Sequence, residues 1–382
     1  MADSQIEIRR IETDEGFLSL KGAWNAVLAA SPAESFFLRW EWLYRWWQAY
    51  KREDRGLMIL LAYKGEDLVG IGPFYVTSRI EAGVDASRGL FFLGTCAEAL
   101  ISEYMDMISK AGYEEEVVEA VFRYISENDM ADTIALHKIP SSSSTISMLE
   151  GLAKGAGLGF EERRSECPYI PLQADWSSFM EGLSPSMRSK LRAGRRRLAG
   201  HADAFIRSTT DPGELEDDFR EFKRLHQKRW EALNKPGSFS GGSFEGFLRS
   251  VSEVMLKDGF LRLSFLSVAG RNIAALYNII YKGRVYFFQA GLDASFDRGL
   301  APGLLLHANA IEEAIGAGLK EYDFLLMGKT DDYKKRWTQV SRGLSDIEIY
   351  RPGIIRRILT VKGAAKARIG RYLNGIGLHK GS

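Results

Sequence analysis

The chain has 382 residues with 51 basic and 50 acidic side chains, and this balance excludes a global field that would recruit nucleic acid or acidic polymers. It has two cysteines, Cys96 and Cys167, and no closely spaced pair among its five histidines, which excludes a disulfide scaffold and predicts no metal site. The polar start MADSQIEIRR and the lack of an apolar run of ~18 residues predict a cytoplasmic protein of two domains, without a secretory signal or membrane span.

The segment FFLRWEWLYRWWQAY at 36–50 holds four of the eight tryptophans. Helical spacing places a set of large side chains on one face: Trp40, Leu43 or Tyr44, Trp47 and Tyr50. We predict a helix whose aromatic face packs into the core. An apolar substrate groove or a membrane-interface contact is the alternative.

Two α/β units then follow one another. In the first, three apolar strands precede a helix and a further strand, at 57–63, 68–76, 89–95, 115–126 and 133–139. In the second, the same order returns about 200 residues later, at 261–268, 273–281, 285–292, 303–317 and 322–326. Strands are predicted from β-branched and aromatic residues between glycine-bearing turns, and helices from apolar residues on one face. We interpret the two units as a tandem duplication, with a first domain at 1–165, a second at 166–350 and a tail at 351–382.

The predicted helix at 303–317 has a start that is open to an anion. It follows the loop RGLAPG (298–303), and its first acidic residue is Glu312. Free backbone N–H groups and the helix dipole favour a negative ligand there, although a plain helix start is the alternative. The corresponding helix of the first unit opens with Glu114, Glu115 and Glu116, which would repel a phosphate. We predict that the second domain binds the cofactor and that the first is a degenerate half for substrate or scaffold.

These features resemble the GNAT acyltransferase core, in which three antiparallel strands lead to a pyrophosphate-binding loop Q/R-x-x-G-x-G/A, a helix and a strand. Arg298 and Gly303 match that loop, and Ala301 replaces its first glycine. Four segments resemble the narrower CelD-type tandem acetyltransferases, associated with bacterial cellulose biosynthesis and akin to Fem-type aminoacyl transferases: LHQKRW (225–230), SFDRGLAPG (295–303), YDFLLMG (322–328) and DYKKRW (332–337). The expected fold is therefore α/β, with tandem GNAT-like domains that each contain a mixed, mostly antiparallel sheet flanked by helices.

The resemblance implies acyl-CoA as co-substrate, with acetyl or a longer chain, and no metal. Its pyrophosphate would lie at the helix start, and its pantetheine arm along the end of the strand at 285–292. A backbone N–H of that strand could polarise the thioester carbonyl. The implied cofactor-binding residues are Gln289, Ala290, Gly291, Arg298, Gly299, Ala301, Gly303 and Leu304. For Gly291, a simple strand-end turn is the alternative.

Three residues are candidates for proton transfer. Asp323 lies in an apolar strand, where a charge must be paired or functional, and His226 lies in a helical stretch and could accept a proton from an ammonium group. Tyr333 follows the last strand, where sites of α/β proteins usually lie. Asp323 could instead anchor a turn, and His226 could be a helix-surface residue. His307 shares the apolar face of its helix and is interpreted as a packing residue.

The candidate substrate-binding residues are basic or aromatic. The predicted helix SPSMRSKLRAGRRRL at 184–198 carries Arg188 and Arg192 among six cations, which suits a nucleotide-sugar, an anionic lipid or tRNA phosphates. Arg229 and Trp230 lie about one helical turn from His226, and Lys334 could hold an acidic group of the substrate. Solvated surface cations are the alternative for the basic residues.

The sequence therefore predicts an acyl-CoA-dependent N-acyltransferase. The acceptor would be an amine, or less readily a hydroxyl, of an envelope glycan precursor or an amino lipid. One alternative is a Fem-type transferase that uses aminoacyl-tRNA, although tRNA is the less favoured partner. A second is a non-catalytic accessory protein of polysaccharide biosynthesis, which the Ala301 departure favours.

The tail at 351–382 is predicted to be a basic amphipathic helix. No acidic residue follows Glu348, and the tail carries eight Lys or Arg residues interleaved with apolar ones. Such a helix can lie on an anionic bilayer, which predicts peripheral contact with the inner membrane face. A tail packed on its domain, with its cations in water, is the alternative.

Overall fold

A computed structural model describes residues 5–77, 88–96, 99–293, 295–297, 299–328 and 333–351. The chain divides into two compact units, the first formed by residues up to Ser165 together with residues 343–351, the second by Glu166–Arg342. Two regions given roles by the sequence, Arg298 and the tail from 352 onward, lie outside the described residues. Within the described ranges, no helix has the length and apolarity needed to cross a membrane.

The first unit follows the predicted order of strands and helices. Its elements are β1 Glu7–Ile11, α1 Asp14–Ser19, α2 Lys21–Ala29, α3 Trp40–Tyr50, β2 Arg55–Lys64, β3 Asp67–Thr77, β4 Gly89–Phe92, β5 Thr95–Cys96, β6 Ala99–Leu100, β7 Ile108–Ser109, α4 Glu114–Glu127, β8 Thr133–Pro140 and α5 Ser144–Gly155. The strands β1-β2-β3-β4-β8 lie side by side and are antiparallel except for the parallel pair β4 and β8. Helix α4 provides the crossover that a parallel pair requires.

The aromatic helix α3 packs in the core, as predicted. Trp42 and Trp46 have no exposed surface. The indole N–H of Trp42 donates to Ser102 Oγ at 2.8 Å, and that of Trp40 donates to the carbonyl of Phe17 at 2.9 Å. The predicted face, Trp40, Leu43, Trp47 and Tyr50, is also buried, so the core-packing prediction is confirmed.

The second unit repeats this plan. Strand β9 Gly159–Pro171 enters it at Glu166, followed by α6 Trp176–Gly182, α7 Pro185–Ala199, β10 Phe205–Ser208, α8 Leu215–Glu231, α9 Gly242–Lys257, β11 Leu261–Val268, β12 Arg271–Tyr281, β13 Arg284–Leu292, α10 Pro302–Gly316 and β14 Glu321–Asp323. The strand order is β10-β11-β12-β13-β14-β9, with only the neighbours β13 and β14 parallel. Three antiparallel strands, a helix and a parallel strand thus occur in both units, and the predicted α/β class is confirmed.

Different helices cover the two faces of the second unit's sheet. On one face, the Phe222 ring of α8 lies 5.7 Å from the Tyr277 ring of β12. On the other face, α7 and α10 pack on an apolar cluster that includes Leu276. Helices α7 and α10 approach closely because Gly194 has no side chain: a Cβ there would lie 3.0 Å from a methyl carbon of Leu305.

The last strand, β15 Ser341–Tyr350, does not follow the predicted division into domains. From Leu344 onward it pairs antiparallel with β8, and Leu344, Ile347 and Ile349 are buried. Residues 343–350, which the sequence assigns to the second domain, therefore belong to the first unit. Apolar alternation identifies a strand but does not specify which neighbour it joins.

Candidate active site

Strands β13 and β14 separate after three paired residues. Residues 284–286 pair with β14, after which β13 continues to Leu292 while the chain leaves the strand at Phe324. A cavity of about 540 Å³ is walled by the end of β13, the start of α10, part of α7 and the segment that follows β14. Diverging strands of this kind are a usual place for ligand clefts in α/β proteins.

Helix α10 begins at the cavity wall, and the residues of its first turn line the cavity. Ala301 precedes the helix in the left-handed conformation (φ 51°, ψ 56°), Pro302 occupies its first turn, and that turn has no acidic residue. The nearest atom to a Cβ built on Gly303 would be Leu292 Cδ1 at 4.0 Å, so Gly303 faces open space. The N–H of Gly303 has no acceptor within the helix and is available to an anion.

Most of the predicted cofactor residues lie on this wall: Ala290, Gly291, Gly299, Ala301, Gly303 and Leu304. Gln289 lies beside them on β13 without lining the cavity. The fold therefore brings together residues from a strand end and a helix start that are separated by about ten positions in the chain.

One of these glycines is also required by a contact within the second unit. A Cβ on Gly291 would lie 2.6 Å from Leu225 Cβ and 2.8 Å from the amide nitrogen of His226, so its absence lets α8 pack on β13. A Cβ on Gly299 would meet only the guanidinium end of Arg197 on α7, a flexible and exposed side chain that can move aside. Close approach of α8 therefore accounts for Gly291 independently of any ligand.

The cavity wall is mostly apolar and carries positive charge. Lys190, Arg229 and Arg336 line it, whereas no carboxylate does among the described residues. This charge pattern favours an anionic ligand. In the described part of the chain, no group of three or more His, Cys, Asp or Glu side chains is placed to hold a metal ion.

The two predicted substrate residues of α7 have different surroundings. Arg188 donates to the carbonyl oxygens of Glu181 and Leu183 at 2.8 and 2.6 Å, so it caps the end of α6 and does not line the cavity. Arg192 is exposed and forms no ion pair with any described residue. Arg192 is therefore accessible to a partner, whereas the guanidinium of Arg188 is engaged with backbone.

Asp323 and Lys334 hold the backbone of the segment after β14. Asp323 has no exposed surface, and its Oδ1 accepts the backbone N–H of Leu325 at 2.7 Å, where Leu325 adopts a positive φ of 57°. The ammonium of Lys334 is buried and donates to the carbonyls of Phe324 and Leu326 at 2.8 and 2.7 Å. Neither side chain lines the cavity. The alternation of side chains along β14 explains the direction of Asp323. Its neighbour Tyr322 points toward the face covered by α10, so Asp323 points away from that face.

His226 is buried in α8, and its neighbour Trp230 holds it. Nε2 of His226 accepts the indole N–H of Trp230 at 2.9 Å, whereas Nδ1 is buried without a hydrogen bond to a described residue. Burial and the positive charge of Arg229 lower the pKa of His226 to about 4. The side chains of Gln227 and Gln289 oppose this shift but do not outweigh it. The predicted helix-surface alternative is thus wrong, and the ring is neutral at pH 7.

Tyr333 and His307 do line the cavity. Tyr333 was a predicted catalytic candidate, and its ring lies 6.2 Å from that of His307. His307 packs against the Phe287 ring at 4.6 Å and was interpreted as a packing residue only. Its Nδ1 lies 2.9 Å from the hydroxyl of Tyr322, a residue to which the sequence assigned no role. The sequence signal that could have identified His307 and Tyr322 was a polar residue at an apolar position in each of the two elements.

The region that contains this cavity is similar to a known family. Residues 185–335 match the family model described as an acetyltransferase (GNAT) domain. The matched residues lie within the second unit. The match contains the α7 helix, the β13 strand end and the α10 start that wall the cavity.

Similar folds occur among solved structures. FemX superposes with a TM-score of 0.59 at 11% identity, covering 93% of this chain and 100% of FemX. L-PGS from Bacillus licheniformis superposes with a TM-score of 0.53 at 12% identity, covering 89% of this chain and 96% of that protein. At such identities the likeness concerns the fold, and the narrower CelD-type resemblance remains a prediction. We found no match among curated protein sequences.

Proposed function

We propose that this GNAT protein transfers an acyl group from acyl-CoA to an amine of an envelope glycan precursor or an amino lipid. One observation carries the proposal: the first turn of α10 lines a cavity with three cations and, among the described residues, no carboxylate. A helix start of this kind suits a pyrophosphate, which carries the negative charge that the dipole and the cations favour.

The residues at the helix start fit the pyrophosphate of acyl-CoA. Gly303 leaves open space where a side chain would stand, and its N–H is available. Ala301 adopts a left-handed backbone, the conformation that glycine adopts most readily, so alanine at this position is compatible with a glycine-like turn before the helix. This observation favours an active transferase over the non-catalytic alternative.

When bound, acyl-CoA supplies an acyl group activated as a thioester. The apolar wall excludes water from the reacting region, and the end of β13 presents backbone N–H groups that can stabilise charge on a carbonyl oxygen. Tyr333 contributes the one hydroxyl among the described residues of the wall, and we assign it the proton that the leaving thiol requires. Asp323 and His226 do not line the wall and are assigned to holding the fold around it.

A second candidate is a Fem-type transferase that uses aminoacyl-tRNA. The observation that favours it is a set of exposed cations on α7 that form no ion pair with described residues: Lys190, Arg192 and Arg196. These cations could contact phosphates of a polynucleotide. They equally suit a phosphate-bearing glycan precursor or the headgroup of an anionic lipid.

Thermal unfolding of the full chain with CoA, acetyl-CoA, a long-chain acyl-CoA or a tRNA pool distinguishes these functions, because a ligand of the native state raises its stability. We expect CoA and its thioesters to raise the midpoint temperature and tRNA to leave it unchanged. A shift with tRNA alone would support the Fem-type function. No shift with any of the four would favour the accessory role, and transfer of radiolabelled acetyl from acetyl-CoA to an amine then decides whether chemistry is retained.

A further inference from the structure

His307 is the polar side chain of α10 that reaches the cavity. Its ring is only 5% exposed and lies among the aromatic rings of Phe287, Tyr322 and Trp337. Nδ1 contacts the Tyr322 hydroxyl at 2.9 Å, whereas Nε2 has no hydrogen-bonding partner among the described residues. Nε2 is not among the fully buried polar atoms that lack a hydrogen-bond partner, so it is accessible from the cavity.

The hydroxyl of Tyr322 determines which nitrogen of His307 carries the proton. Tyr322 has no exposed surface, and burial raises the pKa of its phenol well above the usual value, so the group keeps its proton. A buried O–H must donate to an acceptor, and Nδ1 of His307 lies within hydrogen-bond distance. The nearby Asn278 side chain lowers the pKa of Tyr322, as a hydrogen-bond donor to the phenol oxygen does, and so leaves the phenol proton to Nδ1. Tyr322 therefore donates to Nδ1, and the proton of the neutral imidazole resides on Nε2.

The imidazole stays neutral across the physiological range. Burial lowers the pKa of His307 to about 3, and the positive charges of Arg229 and Lys334 act in the same direction. A neutral ring with Nδ1 occupied cannot serve as a base near pH 7. It can donate one hydrogen bond from Nε2 into the cavity.

We infer that His307 is a hydrogen-bond donor to a carbonyl oxygen of the acyl donor, and that Tyr322 is the residue that positions it. The inference rests on the proposed function, since it takes the cavity to bind a thioester of CoA. Such a ligand has amide carbonyls along its arm and a thioester carbonyl at its end. A fixed neutral donor in an apolar wall stabilises such an oxygen without reorganisation.

Binding of CoA and acetyl-CoA to the full chain, measured by calorimetry, tests this inference with three variants. His307→Leu removes the donor, and Tyr322→Phe removes the group that holds its tautomer. Tyr277→Phe is the matched control, because it deletes a buried phenol hydroxyl, bonded to Ser252 at 2.8 Å, on the opposite face of the same sheet. We expect roughly a five- to tenfold weaker affinity in His307→Leu, a smaller loss in Tyr322→Phe and no change in Tyr277→Phe.

The two ligands identify the oxygen. Equal weakening for CoA and acetyl-CoA assigns the contact to an amide carbonyl of the pantetheine arm, and weakening for acetyl-CoA alone assigns it to the thioester. Nitrogen-15 spectra of the histidine rings add a readout that a packing role would not change. We expect the Nε2–H tautomer in the wild type, a shift of Nε2 on ligand addition, and a mixture of tautomers in Tyr322→Phe.

Wild-type affinity in both His307→Leu and Tyr322→Phe, or an Nδ1–H tautomer in the wild type, would overturn the role of His307 while leaving the proposed function intact. Failure of the wild type to bind either ligand would overturn the proposed function and this inference together. If His307→Leu does not fold, the Tyr322→Phe titration and the tautomer measurement still decide the question.

Discussion

The amide nitrogen of His226 lies directly against Gly291, because a Cβ on Gly291 would be 2.8 Å from it. Real Cβ atoms do not approach a backbone so closely, so α8 and β13 can pack here only with glycine in the strand. Gly291→Ala should therefore lower the free energy of unfolding by ~1–3 kcal/mol through overpacking. Denaturant titration measures the loss.

Gly246→Ala in α9 is the matched control for this change. A Cβ at Gly246 would meet no atom within 4 Å, so the substitution should raise the free energy of unfolding by ~0.5–1 kcal/mol through helix propensity. Equal stability of the two variants would show that α8 tolerates the extra methyl group by shifting.

Gly303→Asp should abolish CoA binding while the protein stays folded. The position faces open space, so the carboxylate fits without steric conflict and occupies the place proposed for the pyrophosphate. Like-charge repulsion should weaken binding by more than ~100-fold, which calorimetry with CoA measures. Gly246→Asp, also in the first turns of a helix, should bind as the wild type does, and so should Glu115→Lys in the first unit. Unchanged affinity in folded Gly303→Asp would refute the assignment.

Lys334 should contribute to stability through the two carbonyls that it holds. Lys334→Met removes the donor to Phe324 and Leu326 and should lower the free energy of unfolding by ~1–3 kcal/mol. The adjacent Lys335 is exposed, so Lys335→Met should change stability by less than ~0.5 kcal/mol. If Lys334→Met instead kept full stability and raised KM for the acceptor, the sequence prediction of substrate binding would be supported.

Asp323→Asn should impair folding more than chemistry. The carboxylate accepts the N–H of Leu325 in a turn with positive φ and does not line the cavity, so its loss should lower stability by ~1–3 kcal/mol. Turnover of the folded fraction should stay within about tenfold of the wild type. A loss of ~10²–10⁴-fold with full stability is the signature of a general base and would restore the sequence prediction. The stability and turnover of His226→Gln should be compared with the wild type in the same way, with the same expected result.

The free energy of unfolding should fall as the pH drops below about 6.5. His226 and His307 have folded-state pKa values lowered to about 4 and about 3, so between these values and the unfolded value near 6.5 the unfolded chain binds protons that the folded chain does not. Each histidine should therefore add a slope of up to ~1.4 kcal/mol per pH unit, with no contribution above pH 7.5. Denaturant titrations at pH 5, 6 and 7.5 measure this slope. It should decrease in His226→Gln and His307→Leu, and an unchanged slope in both would contradict the assignment.

The basic tail should bring the protein to anionic membranes. Eight cations follow Glu348 without an acidic residue, each worth ~1 kcal/mol close to such a surface. The full chain should co-sediment with anionic vesicles at low salt and be released at high salt, whereas a chain ending at Tyr350 should stay in the supernatant. Retention of both chains in the supernatant at low salt would refute the predicted membrane contact.

The sequence alone determined several elements of the second unit and the open start of one of its helices. The strands β11, β12 and β13 and the helix α10 were predicted to within a few residues, because apolar periodicity and turn residues are local properties of the chain. The open helix start was visible as well, since the loop and the acid-free first turns adjoin in the chain.

Only the tertiary structure decided which chemically capable side chains reach the cavity. Asp323 and Tyr322 are neighbours, yet strand alternation turns one toward a backbone turn and the other toward His307 on α10. The buried ammonium of Lys334 and the guanidinium of Arg188 are engaged by backbone carbonyls, which composition and spacing do not reveal. Residue type shows what a side chain can do, whereas its partners, and with them its pKa and tautomer, depend on segments brought together by folding.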